Sequence, residues 1–214
     1  MSASVEQAWS EDKMKRQTGF TLVEIAIVLV IIGLLLGGML KGQELIDSAK
    51  VKNIAQDYRA ISIAVLSYQD KYRSLPGDDA GAVNRWGAST CQGNGDGVIE
   101  GGSSATAEIL CLWQHLRLAN LLTGDSTSLA SPRHTDGGPF TVLSRASDSA
   151  IPETPGGLIV CAENIRGRHV ASLDTLMDDG NPRSGSMRAK LTSPGSSTAS
   201  GIDENGLYTV CMGF

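Results

Sequence analysis

Residues 20–40 of this 214-residue chain, FTLVEIAIVLVIIGLLLGGML, carry a single ionisable side chain, Glu24. As a helix rising 1.5 Å per residue the stretch spans roughly 31 Å, close to the roughly 30 Å hydrocarbon core of a bilayer. An acidic group inside a spanning helix costs on the order of 3 kcal/mol on insertion scales, so such a residue is usually functional and partnered. The plainer alternative is a Glu24 that sits near the helix end and reaches the headgroups.

The flanks decide how the segment is handled. A secretory signal has basic residues, then roughly 7–15 apolar residues, then a small-residue cleavage site. Here Lys13, Lys15 and Arg16 precede Gly19, the apolar run is longer, and Lys41, Gly42, Gln43 and Glu44 follow it as continuing helix. A protease acting here is therefore expected before the run, at the Gly19–Phe20 bond, which leaves the run in the mature protein. Positive-inside logic puts the basic cluster in the cytoplasm and everything after Leu40 outside.

The string KRQTG followed by FTLVEIAIVLVIIGLLLGG resembles the leader and N-terminus of type IV pilins and type II secretion pseudopilins. The resemblance implies cleavage after Gly19 by a prepilin peptidase, N-methylation of Phe20, and pairing of Glu24 with the α-amino group of a neighbouring subunit during assembly. Such pairing would neutralise a charge that is costly to leave alone in a low-dielectric place. It also implies other pilin subunits, the inner membrane and an assembly platform as partners. The leader of residues 1–19 is long and carries Glu6, Glu11 and Asp12; a start at Met14 would give the short basic leader MKRQTG usual in that family. LPGDD, CQGNGDGVIEG, LWQHLRLANLLTG and LDTLMDDGNPRSGSMRA resemble segments that recur in pilin-like proteins, so the likeness extends along most of the chain.

Beyond the membrane segment, Val51, Ile54, Tyr58, Ile61, Val65, Tyr68 and Tyr72 recur at spacings of three and four, the stripe of a helix face that packs on a core. Neither Pro nor Gly interrupts residues 43–74, and LPGDD at 75–79 supplies a stop. The G-x-x-x-G pairs Gly33/Gly37 and Gly38/Gly42 permit either close helix packing or local loosening. A second helix is expected over 106–122 and a short one over 170–177, with strands at 140–144, 158–163 and 207–213. The organisation read from this is a leader at 1–19, a transmembrane half-helix at 20–40, an exported amphipathic half at 41–74 and a head at 75–214. The fold class is α+β: a long N-terminal helix, membrane-spanning in its first half, packed on a C-terminal globular head with an antiparallel sheet. The stretch 193–201, SPGSSTASG, reads as a surface or subunit-contact loop.

The net charge of −5 argues against a nucleic-acid surface. All four cysteines, Cys91, Cys111, Cys161 and Cys211, fall in the exported part, where disulfides persist, and their spacing matches no zinc pattern. Three pairings are open. Cys161–Cys211 is favoured because both lie in strand-like segments and their bridge would anchor the C-terminal segment; Cys91–Cys111 would then pin a turn-rich loop to a helix.

No cofactor is expected. Calcium is the one ion the loops raise: GNGDGVI at 93–99 has Asn94, Asp96 and Gly97 at EF-hand-like spacing but lacks the first and last ligands, and reads as a turn. DDGNP at 178–182 also reads as a turn, although the family resemblance implies that such a loop near the C-terminal end can take calcium. Catalysis is not expected. His115, His134 and His169 sit in no metalloprotease pattern, His115 reads as a surface or boundary residue, and the pairs Asp78–Asp79 and Asp178–Asp179 make poor acid/base dyads. The expected function is a structural subunit of a type IV pilus or pilus-like filament, held in the bacterial inner membrane with its head in the periplasm and then polymerised. The alternatives are a type II secretion pseudopilin and, from another class, a periplasmic ligand-binding or sensor domain on an uncleaved anchor.

Overall fold

A computed structural model describes residues 21–101, 107–145, 156–192 and 201–214. The chain divides into two compact units, Met1–Glu44 and Leu45–Phe214. The described part of the first unit is the opening half of α1 (Leu22–Tyr72). Its most apolar 18-residue window has a mean hydropathy of 2.7 and none of it is buried. Leu22, Leu34, Leu35 and Leu40 are each more than two-thirds exposed, so this helix surface is finished only by an apolar surrounding or by other chains.

In the second unit the sequence stripe becomes a packing face. Val51, Ile54, Tyr58, Ile61, Val65 and Tyr68 of α1 are buried in one core with Leu112, Trp113 and Leu116 of α3 (Glu108–Leu118). The sheet supplies the facing layer. It has four antiparallel strands, β1 (Phe140–Ser144), β2 (Leu158–Arg166), β3 (Met187–Leu191) and β4 (Leu207–Gly213), in the spatial order β1-β2-β4-β3. Alternation along the strands sends Val142, Val160, Ala162, Ala189, Tyr208 and Val210 to the core. Tyr58 donates its hydroxyl to the Val210 carbonyl at 2.5 Å, which pins the helix to the inner strand β4.

The opposite sheet face holds a smaller apolar cluster of Ile159, Cys161 and Cys211, with Leu143 packed against it. Cys161 and Cys211 stand directly across from one another. Leu158 and Phe214, three register steps away, exchange both backbone bonds, so the cysteines occupy a non-hydrogen-bonded pair, where antiparallel side chains come closest. They are joined as a disulfide with Cα atoms 4.0 Å apart.

The α+β class and the antiparallel sheet follow the expectation from sequence, with additions. A five-residue helix α2 (Ala82–Trp86) lies in the segment after LPGDD. The predicted 106–122 helix is the shorter α3, and α4 (Gly167–Met177) starts earlier than its hydrophobic run suggests. Strand β2 runs on to Arg166 through an irregularity between Ala162 and Ile165, where Asn164 takes a positive φ. Strand β3 was not expected from sequence.

Two amides on each outer edge of the sheet are capped. On β3, the Met187 amide donates to Asp178 Oδ2 and the Ala189 amide to the Pro182 carbonyl. On β1, Phe140 donates to the Pro132 carbonyl and Ser144 to that of Ile99.

Candidate functional site

Of the expected processing and assembly residues, Glu24 lies among the described residues and Gly19 and Phe20 lie outside them, as does nearly all of the 193–201 loop; the four cysteines are all described. Glu24 is the third residue of α1, and Thr21 precedes the helix. Its Oε2 accepts the Thr21 amide at 2.9 Å and the Thr21 hydroxyl at 2.9 Å, while the Glu24 amide donates to Thr21 Oγ1 at 3.2 Å. This is a reciprocal capping box, which satisfies two amides that a helix start leaves orphaned. Its T-x-x-E signal stands in the sequence at residues 21–24. The same carboxylate thus has a local partner as well as an exposed position from which to meet another chain.

The Cys91–Cys111 disulfide, with Cα atoms 5.4 Å apart, ties the loop 91–101 to α3. That loop is then held by side chains reaching out of the core. Asp78 accepts the amides of Gly95 at 2.6 Å and Asp96 at 3.1 Å on Oδ1, and of Gly97 at 2.7 Å on Oδ2. Glu108 accepts those of Asn94 and Glu100. Gly93 passes so close to the Asp78 backbone that a Cβ there would collide with it. A ring of inward amides is a nest for an anion, and the anion is the chain's own carboxylate. The polarity is opposite to that of a cation loop, so GNGDGVI is a pinned turn.

His115 corrects the sequence reading. It is fully buried instead of lying at a boundary. Its Nδ1 accepts the Gly77 amide at 2.9 Å and its Nε2 meets the Cys91 carbonyl at 2.8 Å, which fixes the neutral tautomer with the proton on Nε2. Burial pulls its pKa below the ordinary 6.5, against the opposing pull of the Cys91 carbonyl. The neighbouring Asp79 accepts from Tyr68 Oη at 2.6 Å and from the Gly81 amide, and pairs with Arg85. Asp78 and Asp79 therefore serve different partners and form no dyad.

At the end of α4, Asp174, Asp178 and Asp179 bring carboxylate oxygens within 4.8 Å of one another. Asp179 accepts the Asn181 amide and the Ser184 hydroxyl, and Asp178 the Met187 amide. Asp174 is buried, and among the described residues the Gly180 amide is the group that approaches its carboxylate, without completing a well-aligned hydrogen bond. Burial pushes its carboxyl up to about 6, with the charges of Asp178 and Asp179 adding to the rise. Three clustered hard oxygen donors, one of them buried, could supply part of the oxygen shell of a calcium ion. DDGNP was visible in the sequence; Asp174, four residues upstream on a helix, was not part of that pattern.

Residues 14–40 match a family model described as the prokaryotic N-terminal methylation motif. That motif is the signature of prepilin-type proteins, and the match supports a type IV pilin-like or pseudopilin protein. Comparison with curated proteins and with solved structures found no match. The motif together with the apolar start of α1 fits anchoring in the inner membrane.

Proposed function

We propose that this chain is a structural subunit of a type IV pilus or pilus-like filament, cut by a prepilin peptidase between Gly19 and Phe20 and polymerised from the inner membrane. The observation that carries the reading is the methylation motif over residues 14–40, running straight into a helix whose exposed apolar surface needs an apolar partner. The role is structural and requires no enzymatic activity of this chain. Glu24 exchanges or shares its Thr21 partners with the methylated amino group of a neighbour.

The capping box makes a sharp test available. Glu24→Gln keeps the cap, since Gln serves at that position as Glu does, and removes the charge. Expected is normal membrane insertion with poor entry into filaments for Glu24→Gln and Glu24→Ala alike. Wild-type filament levels for Glu24→Gln would show that capping alone explains the residue. Intact-mass analysis of the mature protein, beginning at N-methyl-Phe20, separates this reading from an anchored periplasmic sensor, whose tether needs no cut.

The Asp174–Asp178–Asp179 cluster favours a second reading, the type II secretion pseudopilin, because the resemblance to that group carries calcium with it. On this reading calcium raises the Tm of the chelator-treated full-length protein and Asp174→Asn abolishes the rise. Deletion of the gene then impairs export of folded proteins instead of removing surface pili.

A further inference from the structure

A second carboxylate–histidine group lies apart from the sites above. His169, in the first turn of α4, is buried to 1% exposure. Its Nδ1 bonds Asp136 Oδ2 at 2.7 Å, and the same carboxylate oxygen accepts the Arg166 amide at 3.2 Å. On the other side of the ring, Nε2 faces Asp47 Oδ1 of α1 at 3.3 Å without completing a hydrogen bond. Arg168 Nε lies 3.7 Å from the other Asp47 oxygen. Beside this group, Thr135 Oγ1 donates to the Lys50 carbonyl, so the segment around Asp136 also touches the same turn of α1.

We propose that Asp136, His169 and Asp47 form a proton-operated clasp that holds the α1 turn around Asp47 against the start of α4. The argument is a count of protons. A neutral imidazole has one N–H, and Asp136, buried and ionised, takes it at Nδ1; Nε2 then turns a lone pair toward a second carboxylate. An imidazolium has two N–H groups and satisfies both acids. Asp136 is suited to the fixed end. Burial pushes its carboxyl up, but the His169 and Arg166 hydrogen bonds, helped by His169 and His134 when these are charged, outweigh that and hold it below the usual range. Asp47, about one-third exposed, is the end that can let go.

Among the described residues, other charged groups also lie near the clasp. From α1 come Lys50 and, further along, Asp57, which acts on His134. From the 133–137 segment come Arg133 and His134, whose Nδ1 accepts the Asp136 amide. From the 203–206 turn come Asp203 and Glu204, the latter taking the Arg168 amide on its carbonyl. None of these offers His169 Nε2 a hydrogen-bond partner, so Asp47 is the group its second proton would reach.

Hydrogen exchange of the full-length protein in detergent micelles tests this at about pH 5 and about pH 8, an interval in which histidine side chains in general can change charge, after correction for the intrinsic pH dependence of exchange. Amides around residues 46–51 are expected to be roughly two- to fivefold better protected at the lower pH, the range of a partly exposed ion pair. Asp47→Asn and His169→Gln should each erase the difference, and Asp57→Asn should keep it. Equal protection at both pH values in the wild type, or a difference that survives Asp47→Asn, overturns the clasp. Ring ¹⁵N shifts of wild-type His169 give a readout without substitution: a single ring state unchanged between the two pH values overturns it as well.

Discussion

The hydroxyl of Tyr58 and the carbonyl of Val210 meet at 2.5 Å across 152 positions of sequence. Both groups are buried, so the bond joins the long helix to the middle of the sheet where water cannot substitute for either partner. Tyr58→Phe keeps the ring, which stands edge-on to Phe140 at 5.4 Å, and leaves the Val210 carbonyl with its ladder partner Ala162 alone. The expected loss is about 0.5–1.5 kcal/mol in denaturant unfolding, against about 3–5 kcal/mol for Tyr58→Ala, which adds a cavity.

Asp78→Asn replaces an anion held by three backbone amides with a group that brings its own N–H into the nest. The expected loss is about 2–3 kcal/mol, with exchange protection falling first at Gly95 and Gly97. Calcium should leave the stability of this loop unchanged in the wild type, since the position is filled by Asp78.

Folded His115 holds fewer protons than its unfolded counterpart, because burial depresses its pKa from 6.5. Its contribution is therefore fully present above the unfolded value of 6.5 and is lost as pH falls from there through the lower folded value, with a limiting slope of about 1.4 kcal/mol per pH unit. His134, also depressed by burial, acts in the same sense. Urea unfolding of the wild type across this range should show the slope, and His115→Gln should reduce it.

Each disulfide constrains the unfolded chain by an amount set by its loop. Replacing Cys161 and Cys211, 50 residues apart, by alanine should cost about 4 kcal/mol, and replacing Cys91 and Cys111, 20 apart, about 3 kcal/mol. Strand β4 should stay paired in the first case, as it lies between β2 and β3 and also receives Tyr58. Exchange of the β4 amides distinguishes loss of stability from loss of the strand.

The α1 stripe was legible because it repeats at helical spacing over seven positions, and every member from Val51 to Tyr68 is buried. The apolar strands β1, β2 and β4 were legible for a similar reason. Strand β3 was not: MRAKL alternates two basic residues with core-facing Met187 and Ala189, and its edge position is set by Asp178 and Pro182. His115 misled because an amphipathic pattern reports the helix alone, while the groups that bury and satisfy this ring, Gly77 and Cys91, arrive from loops. The Asp136–His169–Asp47 group joins three segments separated by more than thirty residues each, and no local pattern announces it. At Glu24 the charge was conspicuous in its apolar run, and the T-x-x-E cap was there to be read beside it.

The capped rims of the sheet bear on how the molecule survives at high local concentration. Open strand rims invite stacking of identical chains into amyloid-like ribbons, a hazard for any protein stored in quantity before use. Asp178 places a carboxylate on the amide of Met187, and Pro182 covers that of Ala189, while Pro132 and Ile99 do the same at the two ends of β1, Phe140 and Ser144. Crowded copies are thereby discouraged from adding strand to strand.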